Sequence, residues 1–103
     1  MRGEIFRLRA PRGSRGHEQG GVRYAVVVQS DELPLSTLLV APTSTAARAA
    51  SFRPEVEIAG KVTRVLAEQT AAVDPSRLGE SVGYLSFDEV RCVDAALRIV
   101  MAV

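Results

Sequence analysis

The chain has 103 residues, 47% of them hydrophobic and 24% charged, with a formal net charge of +1. That length specifies one domain over residues 1–103 with a large surface fraction, so burial against a second copy would add to its stability. The single cysteine, Cys92, excludes an intrachain disulfide and a multi-cysteine zinc site, and the single histidine, His17, excludes a histidine-rich metal centre; no cofactor is expected.

The first segment, "MRGEIFRLRAPRG", interrupts its apolar residues with charges, and no run approaches the roughly 18 apolar residues of a spanning helix. A soluble, cytoplasmic protein with no membrane partner is expected. "GEIFRL" (3–8) reads as a short strand. "APRGSRGHEQGG" (10–21) has the glycines and proline of a loop and carries Arg12, Arg15 and His17, with Arg9 just before it. "VRYAVVVQ" (22–29) is a β-branched, buried strand. After the "SDELP" turn comes the strand "STLLVAPTS" (36–44). "FRPEVEI" (52–58) carries Pro54, the mark of an edge strand or a late strand start. A turn at Gly60-Lys61 leads into the strand "VTRVLAEQ" (62–69), and "VDPSRLGESVGYL" reads as a turn-rich connection.

At the C-terminus the period changes. Ser86 with Glu89 three residues on is a capping box, and Val90, Val93, Leu97 and Val100 then fall on one helical face. Strands followed by one terminal helix specify a mainly β fold: a small, mostly antiparallel barrel or half-open sheet with the helix packed on it.

Three places carry candidate chemistry. Arg23 shares a strand face with Ala25, Val27 and Gln29, beside the glycine-rich loop. A cation on so apolar a strand needs a carboxylate such as Glu18 or Glu68, or else an anion from outside, such as a phosphate. "APTST" (41–45) ends its strand on Thr43, Ser44 and Thr45, hydroxyls that ordinarily bond nearby backbone and can also orient a phosphate. "AEQT" (67–70) places Gln69 at a strand end, where an amide can bond a neighbouring strand or a nucleotide. Phe6, Tyr24 and Phe52 are expected in the core or an interface, and Tyr84 or Phe87 partly exposed.

Taken together, "RGEIF", the run "GHEQGGVR" leading into "AVVVQSD", "VAPTST", "LAEQTAAVD" and the closing helix resemble the MazF/PemK family of toxin endoribonucleases, over essentially the whole chain. The resemblance implies an SH3-like small β-barrel of the MazF/CcdB toxin type with a C-terminal helix, assembled as a homodimer. It also implies the toxin component of a type II toxin–antitoxin system: a sequence-specific, metal-independent endoribonuclease that cuts single-stranded RNA and is inhibited by a cognate antitoxin through an acidic, partly disordered segment. Carried over position by position, Arg23 matches the family's catalytic arginine, Ser44 its catalytic threonine, and Gln69 a glutamine near the RNA groove. Arg12, Arg15, His17, Thr43 and Thr45 are assigned to RNA binding. His17 stands where the family usually has serine, Tyr24 where it has proline, and Ser44 where it has threonine, differences that bear on substrate motif and rate. A non-nucleolytic gyrase poison of the CcdB kind and a degenerate antitoxin-binding module are the alternatives on the same fold.

Overall fold

β2 (Tyr24–Val27) has apolar residues on both faces because it is packed on both. Val26 belongs to a core that also holds Val93, Ala96 and Leu97 of the helix, while Ala25 and Val27 belong to a second cluster with Val40, flanked by Phe6, Leu8, Leu38, Val73 and Leu78. The computed structural model describes residues 1–9 and 23–103. Around β2 stand β1 (Glu4–Leu8), β3 (Leu38–Ser44), β4 (Glu55–Ile58), β5 (Lys61–Val65), β6 (Ala71–Val73) and β7 (Leu78–Tyr84), followed by α1 (Phe87–Met101).

All pairings are antiparallel, in the order β4-β5-β3-β2-β1-β7. β3 has two partners besides β2: its first half pairs with β6 (Leu38 opposite Val73, Val40 opposite Ala71) and its last two residues with β5 (Thr43 opposite Val65, Ser44 opposite Arg64). This change of partner along one strand accompanies the curl of the sheet into a half-barrel, whose helix-facing side holds the larger core.

The expected strands at 3–8, 22–29, 36–44 and 52–58 are present with trimmed ends, and β4, preceded by Pro54, lies at the sheet's edge. Three local expectations are corrected. The β4–β5 turn is Ala59–Gly60, both left-handed (φ 53° and 80°), with Ile58 opposite Lys61; this two-residue loop has the backbone twist that the flanking strands need. The strand expected to run through Gln69 stops at Val65, and Ala67–Gln69 is one 3₁₀ turn. The connection expected after Val73 holds a second 3₁₀ turn (Pro75–Arg77) and the seven-residue β7. β7 escaped the sequence reading because Gly79 and Gly83 interrupt it and most of its side chains are solvated, so no alternation shows.

The helix begins as its capping box requires. Glu89 N–H donates to Ser86 Oγ (3.1 Å), and Ser86 N–H donates to Glu89 Oε1 (2.8 Å). The other Glu89 oxygen accepts from the backbone N–H of Glu57 (2.8 Å), so one carboxylate caps the helix and ties it to the edge strand β4. Val93, Ala96 and Leu97 are buried; Val100, at the last turn, is exposed. Phe6, Tyr24 and Phe52 pack on the cores, and Tyr84 and Phe87 are exposed. Cys92 is exposed as well.

Candidate functional site

The register of the sheet brings Arg23 and Ser44 together. β2 and β3 pair Ala25 with Pro42 and Val27 with Val40, and the same ladder continued to the end of β3 puts Arg23 opposite Ser44. Between them, the hydroxyl of Thr43 donates to the Tyr24 carbonyl (3.3 Å), which holds the strands in that alignment. On the other side of Arg23, its carbonyl accepts from Leu8 N–H (2.9 Å), and Leu8 stands opposite Leu78. Beyond Ser44 come Arg64 and, opposite Arg64, Glu55. One row thus crosses six strands: Leu78, Leu8, Arg23, Ser44, Arg64, Glu55. Residues directly opposite one another share a face, with Cβ atoms about 4.5–5.5 Å apart.

Alternation separates the three hydroxyls. Thr43 is 4% exposed and faces the helix-side core with its partner Val65, so its hydroxyl serves the β2–β3 alignment. Ser44 faces the other way, half-buried, and its Oγ accepts from Ala46 N–H (3.2 Å), which leaves the hydroxyl proton available. Thr45 is exposed one residue beyond the strand. Gln69 is exposed on the 3₁₀ turn that carries the chain from β5 to β6 along β3: Leu66 N–H donates to the Pro42 carbonyl (2.8 Å), and Ala71 stands opposite Val40. Arg12, Arg15 and His17, with Glu18, lie outside the described residues.

Arg23 is exposed, and among the described residues no carboxylate lies within ion-pair distance of it. Glu68, one of the two acids expected to neutralise it, is committed elsewhere: its Oε2 accepts from Arg53 Nε (2.9 Å) and lies 2.6 Å from Arg53 Nη2. Both side chains are 26% exposed, and the Arg53 guanidinium also lies over the Phe52 ring. The hydrogen bond from Arg53 holds the Glu68 carboxyl below the usual glutamate range, against the opposing effect of burial. Arg53 was not singled out in the sequence, because a pair 15 residues apart has no local signature.

Arg64 is a second residue that sequence reading missed. Its side chain is 22% exposed, with Nη1 donating to the Arg53 carbonyl (2.8 Å) and Nη2 to Glu55 Oε2 (3.0 Å). The signal was present: a two-residue turn at Ala59–Gly60 sets Arg64 opposite Glu55, whereas a turn at Gly60-Lys61 would set it opposite Glu57.

A curled antiparallel sheet of this order, closed on one side by a C-terminal helix, is the architecture of the MazF-type toxins. The chain superposes with a TM-score of 0.79 on an endoribonuclease solved in complex with its cognate antitoxin from a mycobacterial species, at 14% identity over 100% of this chain and 95% of that one. It superposes at 0.76 on the toxin MazF-mt6 of Mycobacterium tuberculosis (16% identity, 97% of each chain) and at 0.76 on MazF of Deinococcus radiodurans (24% identity, 98% of this chain and 94% of that one). The sequence settles the family: residues 1–101 match the profile of the PemK-like, MazF-like toxins of type II toxin-antitoxin systems, and the chain belongs to that family. It is 41% identical over 98 residues to the candidate toxin Rv3098A of Mycobacterium tuberculosis, covering 94% of this chain and 92% of that protein.

Proposed function

We propose that this toxin is an endoribonuclease that cleaves single-stranded RNA through the RNA's own 2′-hydroxyl, without a metal ion. The observation that supports the reading is the β2–β3 register, which, continued two residues beyond Ala25 opposite Pro42, sets Arg23 in line with Ser44 at one end of the sheet, away from the helix-side core. The 2′-oxygen attacks the adjacent phosphorus and the P–O5′ bond breaks, giving a 2′,3′-cyclic phosphate and a 5′-hydroxyl end. The reaction needs in-line geometry, a cation for the charge that develops on the phosphorane, and a proton taken from O2′ and one given to O5′. Arg23 supplies the cation: its five-donor fork fits phosphate oxygens and it stays charged at any working pH. Ser44 orients the phosphate or the 2′-hydroxyl. Its side chain lacks the methyl that restricts threonine's rotamers, so the row position beside Arg23 does more of the aiming.

Arginine, with a pKa above about 12, is a poor proton donor, and the proton transfers are assigned to His17 from the loop. A His17→Ala protein with an unchanged pH–rate profile would remove that role. Arg12 and Arg15 hold flanking phosphates, and Gln69 and Thr45 contact the strand beside the scissile position. The functional assembly is a homodimer, favoured by the apolar side chains of Val100, Met101 and Val103 exposed at the end of α1. Inhibition comes from a cognate antitoxin, the kind of partner with which the mycobacterial endoribonuclease was solved, through an acidic segment that competes with RNA for Arg23.

The test is incubation of the purified chain, and of Arg23→Ala, with total bacterial RNA and EDTA, mapping new ends by sequencing. Discrete cuts by the wild type alone support the reading and disclose the motif. Absence of cuts from a folded protein refutes it, and topoisomerase-dependent DNA breaks would then mark a gyrase poison.

A further inference from the structure

Of the three arginine–carboxylate pairs at 3.0 Å or less among the described residues, Arg64–Glu55 is the uneven one. Arg53 and Glu68 are each 26% exposed, and Arg2 and Asp94 30% and 40%, so in both pairs the cation and the acid are covered to a similar degree. Arg64 is 22% exposed and Glu55 60%. Arg64 is also held without its acid, because Nη1 donates to the Arg53 carbonyl (2.8 Å). The Glu55 carboxylate makes one hydrogen bond among the described residues, Oε2 accepting from Arg64 Nη2 at 3.0 Å, and a pair so open to water on the acid side contributes little.

Arg64 stands directly opposite Ser44, and Ser44 is in line with Arg23 where the β2–β3 register is continued by two residues. Alternation fixes the face. Thr63 and Val65, on either side of Arg64, are buried, and Val56, opposite Thr63, belongs to the helix-side core. Arg64, Ser44 and Glu55 therefore face away from the helix, and two interstrand spacings put the backbones of Arg64 and Arg23 about 10 Å apart. The Arg64 guanidinium turns on toward β4, so the phosphate within its reach lies further along an RNA strand than the scissile one. Two of its five N–H donors are used among the described residues, which leaves a fork for phosphate oxygens.

We propose that Arg64 is a phosphate-binding residue of this site, gripping the single-stranded RNA backbone on the β5 side of Ser44, and that Glu55 is the internal anion that RNA displaces from it. The proposal rests on the RNA-cleaving reading of Arg23 and Ser44 and names how that site holds a longer substrate. The Glu55 carboxylate occupies the position a phosphate oxygen would take, so the arginine is aimed before RNA arrives, and the displaced acid passes into water. Arg64 binds and positions; it touches no reacting atom. Because Glu55 competes with RNA, neutralising Glu55 and neutralising Arg64 change affinity in opposite directions. A pair that only ties β4 to β5 has no such signature.

The experiment measures binding of a 2′-O-methyl single-stranded RNA, which cannot be cleaved, as a function of salt, with thermal denaturation of each variant. One phosphate contact to a single strand contributes about 0.7 to the slope of log affinity against log salt, so Arg64→Gln should flatten the slope by about 0.7 and weaken binding about tenfold. Glu55→Gln should tighten binding about two- to fivefold, the equivalent of one exposed ion pair. That gain should vanish in the Arg64→Gln background. Glu57, on the same face of β4 opposite Val62, forms no ion pair among the described residues, so Glu57→Gln makes the same change in net charge and should alter affinity less than Glu55→Gln does. Lower stability in both Gln variants with unchanged RNA affinity would overturn the proposal and leave a structural ion pair. A gain from Glu55→Gln that persists without Arg64, or that Glu57→Gln matches, would overturn it in favour of net charge alone. Glu55→Gln leaves Arg64 and its bond to the Arg53 carbonyl in place, so it decides the sign even where Arg64→Gln fails to fold: no gain in affinity would overturn the proposal. Any of these results in a wild type that cleaves RNA leaves the reading of Arg23 and Ser44 intact; a wild type that neither binds nor cuts RNA would overturn both.

Discussion

Thr43 and Ser44 are adjacent in sequence and face opposite sides of the sheet, and a pair of substitutions tests the different roles proposed for them. Thr43→Val keeps the shape of a side chain that is 4% exposed and removes the hydroxyl that donates to the Tyr24 carbonyl at 3.3 Å. A neutral hydrogen bond contributes about 1 kcal/mol, and one this long less, so the expected loss is about 0.5–1 kcal/mol. For a domain of this size that lowers Tm by roughly 3–6 °C. Cleavage by the folded protein should stay within about twofold, because no reacting group is touched. Ser44→Ala does the reverse. Its Oγ serves one exposed backbone N–H, that of Ala46, which water can take over, so stability should hold within about 0.5 kcal/mol. On the proposed reading, in which Ser44 orients the phosphate or the 2′-hydroxyl, losing its hydroxyl should cut kcat by about 10²-fold, and Ser44→Thr should retain activity. Thermal denaturation followed by circular dichroism and single-turnover cleavage of an end-labelled RNA give the two readouts. A Thr43→Val protein that folds and has lost cleavage, beside an active Ser44→Ala, would refute the reasoning: the catalytic hydroxyl would then be Thr43 and the β2–β3 alignment wrong by one residue.

Three further outcomes are expected. Glu89→Ala removes the acceptor of both Ser86 N–H and Glu57 N–H and should cost about 2 kcal/mol, with Glu89→Gln losing about half as much by urea denaturation. Ala59 sits at φ 53°, where a Cβ costs about 1 kcal/mol, so Ala59→Gly should raise stability by about 0.5–1 kcal/mol without changing cleavage. Glu68 titrates below its unfolded value because Arg53 hydrogen-bonds the carboxylate. Its contribution is therefore complete above the unfolded pKa, about 4.3, and disappears as pH falls through the lower folded value. A stability gap between wild type and Glu68→Gln should be present at pH 7 and narrow below pH 4; a gap constant with pH would contradict the pairing.

The elements that were legible in the sequence are those whose signal is local. The β-branched run 24–27, the edge strand announced by Pro54 and the helix announced by Ser86 and Glu89 each declare themselves within a few residues, because hydrophobic period and backbone capping act over one or two turns of chain. Arg23 and Ser44 could be named as candidates for the same reason: an arginine at the mouth of an apolar strand and a hydroxyl at a strand end are local anomalies. What they face is not local. Whether Arg23 met Glu68 or lay beside the strand carrying Ser44 depended on registers between segments 20 to 45 positions apart; the tertiary structure gave Glu68 to Arg53, and the β2–β3 register, continued by two residues, sets Arg23 in line with Ser44. β7, with its glycines and solvated side chains, is a strand only because β1 offers it an edge, and that pairing alone brings Arg77 to Arg9. Chain chemistry determined which residues could bind an anion; strand alignment, a property of contacts distant in sequence, decided which of them stand together.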